Sequence, residues 1–341
     1  LDGEVVRVES LEALRALAPE AARGRIVFVD QRMERAQDGH GYGDAVPVRG
    51  HSASVAAALG AIAVVIRSIG TDATRFPHTG GMRYADGAPR IPAAAISNAD
   101  ADVLARWIAR GETVRLHMEL GASDRGEAQS ANVIGEIPGT DRASEIVLLG
   151  AHLDSWDLGR GAIDDGAGVA IVMEAARWIG TSSTRPRRTI RVVLFANEEN
   201  GLAGARAYAA AHASETHVIG LEADFGDGRA WALRTPDASE RSEASAPTPR
   251  WERIARLLAP MGVVWQPDEP HGGADLSPLH ESEDGEPPLA SPMPVLDVVQ
   301  DGTRYFDLHH TANDVMTEVD RVSLDHAMRA VLTVAYALAL E

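Results

Sequence analysis

The stretch Gly150-Ala151-His152-Leu153-Asp154-Ser155-Trp156-Asp157, running on to Gly161-Ala162-Ile163-Asp164-Asp165-Gly166-Ala167-Gly168, limits what this chain can fold into more than any other. The apolar run Ile146-Val147-Leu148-Leu149 precedes it, and a second apolar run of helical length, Val169 to Ile179, follows. A short apolar run closed by Gly reads as a buried strand. His152, Asp154 and Asp164 are therefore expected on a loop at the C-terminal end of that strand, where open α/β sheets place their sites. An imidazole and a carboxylate held there suit Zn²⁺. The plainer alternative is a polar loop that caps strand and helix.

The rest of the chain fits a two-domain organisation, 1–128 and 129–341. In the first part, Arg25 to Asp30 and Ala61 to Ile66 read as strands, and His51 to Leu59 as a short Ala-rich helix closed by Gly60. Phe76 to Arg90 reads as a long surface loop, Asn98 to Arg110 as a capped helix, and Thr113 to Leu120 as a half-exposed strand. His51 and His78 lack a second ligand at metal spacing and are expected in surface or loop roles. After a polar linker, strands and helices alternate: strand 132–137, strand 145–150, helix 166–179, strand 189–195, helix 200–212, strand 217–223. That alternation predicts a mixed, mainly parallel sheet with helices on both faces. Residues 235–250 and 281–292 read as surface excursions, and Leu324 to Leu340 as an amphipathic helix docked on the sheet.

The chemistry gathers at strand ends. Strand 189–195 delivers Glu198 and Glu199, two adjacent carboxylates whose repulsion a divalent cation would relieve. One could bind metal while the other reaches a water; an acid-rich helix start is the plainer reading. Strand 217–223 delivers Asp224, and Tyr305 to Asp314 carries His309 and His310. There is no cysteine, so any metal must be held by His and carboxylate. His152, Asp164, Glu199, Asp224 and one of His309 or His310 make five ligands, too many for one four-coordinate zinc. Two zinc ions sharing a carboxylate would use each ligand once.

This ordered set resembles the co-catalytic di-zinc peptidase family, which includes secreted bacterial aminopeptidases, plasma glutamate carboxypeptidase, glutamate carboxypeptidase II, the transferrin receptor and glutaminyl cyclase. The matching residues are Gly150 to Gly168, Asn197-Glu198-Glu199, Glu222-Ala223-Asp224-Phe225, Gly272 to Leu279 and Asp301 to Asp314, within residues 132 to 341. The resemblance implies a zinc exopeptidase fold in which Asp164 bridges two Zn²⁺ ions. His152 and Asp224 would complete one site, and Glu199 and His310 the other, His310 being chosen because Asp314 follows four positions on. Glu198 would be the general base. Asp154 would be a carboxylate on His152 that fixes its tautomer, and Asp164-Asp165 a cis peptide. In some members a Tyr precedes the last ligand His; here His309 stands there and could donate the same hydrogen bond to the substrate carbonyl. Residues 1–128 resemble the smaller, β-rich protease-associated domain often inserted in this family, through Tyr42-Gly43 and Ala56 to Ala61. The family usually carries a segment of the peptidase fold ahead of that domain, whereas here the domain starts almost at Leu1.

These readings predict a metallo-aminopeptidase or dipeptidase acting on peptides with a free amino terminus, in a secreted or periplasmic setting. A net charge of -18 argues against nucleic acid as a partner, and no apolar run has the length of a membrane span. A homodimer stays open. The rivals are a single-zinc acyltransferase of the glutaminyl cyclase kind, a carboxypeptidase or dipeptidase of the plasma glutamate carboxypeptidase kind, and a receptor-like binding protein that does no chemistry.

Overall fold

The computed structural model describes residues 1–123, 125–236, 247–280 and 292–341. The stretches expected as surface excursions, 235–250 and 281–292, lie for the most part outside the described residues. The chain divides into two compact units: 1–128 with 156–159 and 306–313, and the remainder.

In the first unit the elements run β1 (Asp2–Val8), α1 (Leu11–Arg15), α2 (Pro19–Ala22), β2 (Ile26–Val29), α3 (His40–Ala58), β3 (Ala63–Arg67), β4 (Ala93–Ile96), α4 (Asn98–Ala109) and β5 (Arg115–His117). The sheet order is β4-β3-β2-β1-β5, parallel except for β5. The expectation of a β-rich unit is corrected: α3 alone has 19 residues, while the longest strand has seven. The strand expected over 113–120 shortens to β5. Helix α3 begins eleven residues before the Ala-rich stretch that announced it, through Gly41, Gly43, Pro47 and Gly50, all poor helix formers. Its buried face, Gly41, Ala45, Val48, Ser52 and Ala56, repeats every three to four residues, but in small side chains that carry little hydrophobic signal. His78 lies in the irregular segment between β3 and β4, in keeping with the loop reading, but it is not on the surface: it is buried, with its backbone N–H on Ser68 Oγ and its Nε2 2.9 Å from the Asp72 carboxylate.

Segment 306–313 belongs with this unit rather than with 129–341 because local contacts hold it there. Phe306 stacks on Tyr42 at 4.9 Å, Thr71 N–H donates to the Phe306 carbonyl at 3.0 Å, and Arg35 pairs with Asp307. Thr79 Oγ1 donates to the Asp157 carbonyl, which accounts in the same way for 156–159.

The second unit runs β6 (Val133–Ile137), β7 (Arg142–His152), α5 (Gly166–Thr181), β8 (Arg188–Phe195), α6 (Ala203–Ala211), β9 (Thr216–Glu222), β10 (Ala230–Arg234), α7 (Pro249–Leu258), β11 (Val264–Gln266), α8 (Ser277–His280) and β12 (Asp297–Gln300). The long α10 (Arg321–Ala339) follows; the short α9 (Tyr305–Leu308) has only Tyr305 in this unit and otherwise belongs to the 306–313 segment of the first. The main sheet has order β6-β8-β7-β9, with β8-β7-β9 parallel and β6 antiparallel. Three further strands, β11-β10-β12, connect to it where Gly220 of β9 bridges Val295. This is the mixed, mainly parallel α/β sheet that the alternation predicts.

Side chains alternate across β7. Val147, Leu149 and Ala151 pack with Ile171, Val172 and Ala175 of α5 and Val331, Val334 and Leu338 of α10. Leu148 faces the other way, with Phe195, Tyr208 and Leu276. Each buried Leu, Ile or Val contributes about 1.5–3 kcal/mol, so both faces anchor the strand. The N-terminus of α5 is then fixed beside the end of β7. A Cβ on Gly168 would overlap the Ala223 carbonyl oxygen and the Asp165 carboxylate. Gly168→Ala is accordingly expected to cost about 1–3 kcal/mol by overpacking, read as a lower Tm.

Candidate metal centre

Strands β7, β8 and β9 are parallel neighbours, so their C-terminal ends open on one edge. His152 ends β7, Glu198 and Glu199 follow β8, and Asp224 follows β9. Asp164 and Asp165 sit in the turn that opens α5. His152 Nε2 lies 3.2 Å from Asp164 Oδ1 and 3.5 Å from Asp224 Oδ1. The ligand atoms of His152, Asp164 and Glu199 fall within 4.8 Å of one another, as do those of His152, Asp165 and Asp224. Four residues expected as ligands, His152, Asp164, Glu199 and Asp224, are thus brought together. His309 and His310 lie in the 306–313 segment of the first unit, their rings stacked at 3.6 Å, and both are buried.

The surroundings fix these groups. His152 Nδ1 is 2.9 Å from the Asp154 backbone carbonyl, which accepts its proton and turns Nε2 toward the carboxylates. The expected tautomer control therefore comes from the main chain of Asp154, since its carboxylate is 3.8 Å from Nδ1. That carboxylate instead accepts from the backbone N–H groups of Glu198 and Glu199, at 3.0 and 3.3 Å, and holds the turn that presents both acids. The Asp164-Asp165 peptide is cis.

Several residues that the sequence reading gave no supporting role hold the site together. Asp165 caps α5 on Gly168 N–H and also accepts from His152 N–H at 2.9 Å, tying strand end to helix start. An Asp directly before a Gly-rich helix start is the signal that could have found it. Asp314, used in the sequence only as a spacing marker, accepts from Ile163 N–H at 2.6 Å and Asp164 N–H at 3.3 Å. Glu222 accepts from Asp275 N–H at 3.0 Å, and Asp275 is fully buried. Only the fold reveals that pair.

The electrostatics are those of a cation site. Burial, and then the Asp224 charge, push Glu198 up to about 9. Burial likewise raises Asp275 to about 8 and Asp314 to about 6, and it lifts Asp165, Glu222 and Asp224. Burial disfavours a charged His152, but the Asp224 and Asp164 carboxylates outweigh it and hold the imidazole well above its ordinary range. Among the described residues, Asp224 Oδ1 is buried with no hydrogen-bond partner, His152 Nε2 at 3.5 Å being its ion-pair contact. Carboxylate oxygens and one imidazole nitrogen, gathered with unmet negative charge, fit zinc.

A pH dependence follows. A carboxyl raised by folding stabilises the fold below its unfolded value and loses that contribution as pH climbs through its folded value. The window for Glu198 runs from about 4.5 to 9, and for Asp275 from about 3.8 to 8. Metal-free protein is expected to lose stability progressively as pH rises across that range. Zinc should raise Tm more at pH 8 than at pH 5; an equal rise at both would contradict the assignment.

The chain is similar to known proteins. Residues 132–335 match Peptidase family M28. Carboxypeptidase Q of Mus musculus is 33% identical over 343 residues, covering 99% of this chain and 68% of that protein. Its Homo sapiens counterpart is 32% identical over 342 residues, covering 99% and 67%. The crystal structure of a Peptidase M28 precursor from Shewanella amazonensis SB2B superposes with a TM-score of 0.91 at 41% identity, covering all of this chain and 74% of that one. A zinc aminopeptidase from Bacillus subtilis shares the fold, with a TM-score of 0.63 at 20% identity over all of this chain and 76% of its own.

Proposed function

This chain belongs to peptidase family M28 and is a zinc exopeptidase, a metallopeptidase hydrolase; from that premise we propose that it uses two zinc ions to cleave dipeptides and short peptides bearing a free amino terminus. The observation that carries this reading is His152 wedged between Asp164 and Asp224, with Glu199 in reach and Glu198 beside it. His152 and Asp224 would hold one ion, Glu199 and His310 the other, with Asp164 between them.

When bound, zinc supplies Lewis acidity, which polarises a carbonyl and makes a water acidic enough to ionise near neutral pH. Glu198 would take the proton from that water and return it to the leaving amine. The Asp154 carboxylate keeps Glu198 in place through its backbone N–H. His309 is the candidate donor to the scissile carbonyl. The net charge of -18 suits a substrate with an α-ammonium group, which supports cleavage at the amino end. The active-site set also supports hydrolysis over a receptor role, since every expected ligand and the base are present. A secreted or periplasmic location belongs to the same reading. Among the described residues, no helix is long and apolar enough to cross a membrane.

The second reading, removal of carboxy-terminal residues, is favoured by the similarity to Carboxypeptidase Q across nearly the whole chain. Dipeptides satisfy both readings, so blocked substrates separate them. A free dipeptide, its N-acetyl form and its C-terminal amide would be assayed with and without chelator. The amide is expected to be cleaved and the N-acetyl form to be at least about tenfold poorer, with all activity lost to chelator. Preferred cleavage of the N-acetyl form would select the carboxypeptidase reading.

A further inference from the structure

We infer that Thr79 and Arg49 form a positioning device for His310, holding its imidazole in the tautomer and orientation that metal binding requires; the inference rests on the reading of His310 as a zinc ligand. His310 Nδ1 lies 3.1 Å from the Thr79 backbone carbonyl. A carbonyl can only accept, so Nδ1 carries the proton and Nε2 is the ligand nitrogen. The same two residues meet again in the opposite sense. Thr79 N–H donates to the His310 carbonyl at 3.0 Å, and Thr79 Oγ1 donates to it at 3.3 Å. These bonds hold His310 at φ 62°, a left-handed conformation that a side chain of this size adopts at a cost. His152 is treated alike, its Nδ1 on the Asp154 carbonyl, so both imidazoles are oriented by main chain.

Thr79 sits in the long irregular segment after β3 and needs its own support. Arg49 supplies it with three bonds: NH1 to the Thr79 carbonyl at 3.3 Å, Nε to the Gly81 carbonyl at 3.2 Å, and NH2 to Tyr42 Oη at 2.7 Å. Tyr42 and Arg49 lie seven residues apart on α3, hence on one face, and Tyr42 stacks on Phe306 in the His310 segment. The guanidinium lies flat against Gly80, where any Cβ would overlap it. Arg49 thus clamps the loop through a glycine, and the loop clamps the imidazole.

The test is zinc affinity of the full chain, measured by competition with a chromogenic chelator, together with Tm. His310→Ala is expected to lose one zinc of two. Arg49→Met, which keeps the stem and removes the donors, should weaken that same zinc by about 10–100-fold and leave the other unchanged. Arg49→Lys should recover part of the loss. Gly80→Ala, which crowds the Arg49 guanidinium and also strains the backbone beside Thr79 at φ 142°, should repeat the Arg49→Met result, with Tm reporting the strain, and it serves as the second test if Arg49→Met does not fold. Folded Arg49→Met and Gly80→Ala proteins that bind both zincs as tightly as wild type, while His310→Ala loses one, would overturn this inference alone. A His310→Ala protein that keeps both zincs would overturn the ligand assignment and the inference with it.

Discussion

A Glu198→Gln variant is expected to bind zinc like the wild type and to hydrolyse peptides at least about 100-fold more slowly. General acid–base groups contribute about 10²–10⁴-fold, and an amide cannot take the proton that a carboxylate takes. Glutamine keeps the shape of the side chain, and the backbone N–H of residue 198 still donates to Asp154. The turn that presents Glu199 should therefore survive, which is why metal content should not change. The variant should also lose the high-pH instability of the metal-free protein in part, because one raised carboxyl is gone. Turnover near the wild-type rate would remove Glu198 from the role of base.

Asp164→Asn carries the second large effect. If Asp164 bridges two ions, losing one anionic oxygen weakens both together, and titration should show two affinities falling in parallel with activity. The fold should tolerate the change: Asp164 is held through its backbone N–H by Asp314, and the adjacent cap, Asp165, is untouched. One site weakened and the other unaltered would rule out bridging.

The parts of this molecule that could be read from the sequence share a physical cause. Strands β7, β8 and β9 are buried on both faces, so their sequences are near-continuous apolar runs, and the residue after each run falls at the sheet edge by geometry alone. The placement of His152, Glu199 and Asp224 at that edge was legible for that reason. Asp165, Glu222 and Asp275 were not, because a buried carboxylate is decided by what surrounds it, and a string of letters does not show that Asp275 is fully enclosed. The first half of α3 was hidden by small residues that pack well but score poorly as helix. The role of Asp154 was placed on its side chain because sequence shows side chains, whereas the bond to His152 is made by its carbonyl. Thr79 and His310 are 231 positions apart and pair through main chain, which no spacing rule reaches.

The claim that two zinc ions sharing one carboxylate perform the hydrolysis is tested most directly by stripping the protein with chelator and titrating zinc back while following bound metal and dipeptide cleavage together. Two equivalents should bind, with cleavage reaching its plateau only as the second is taken up. Full activity at one equivalent, or activity that persists in the stripped protein, would contradict the account.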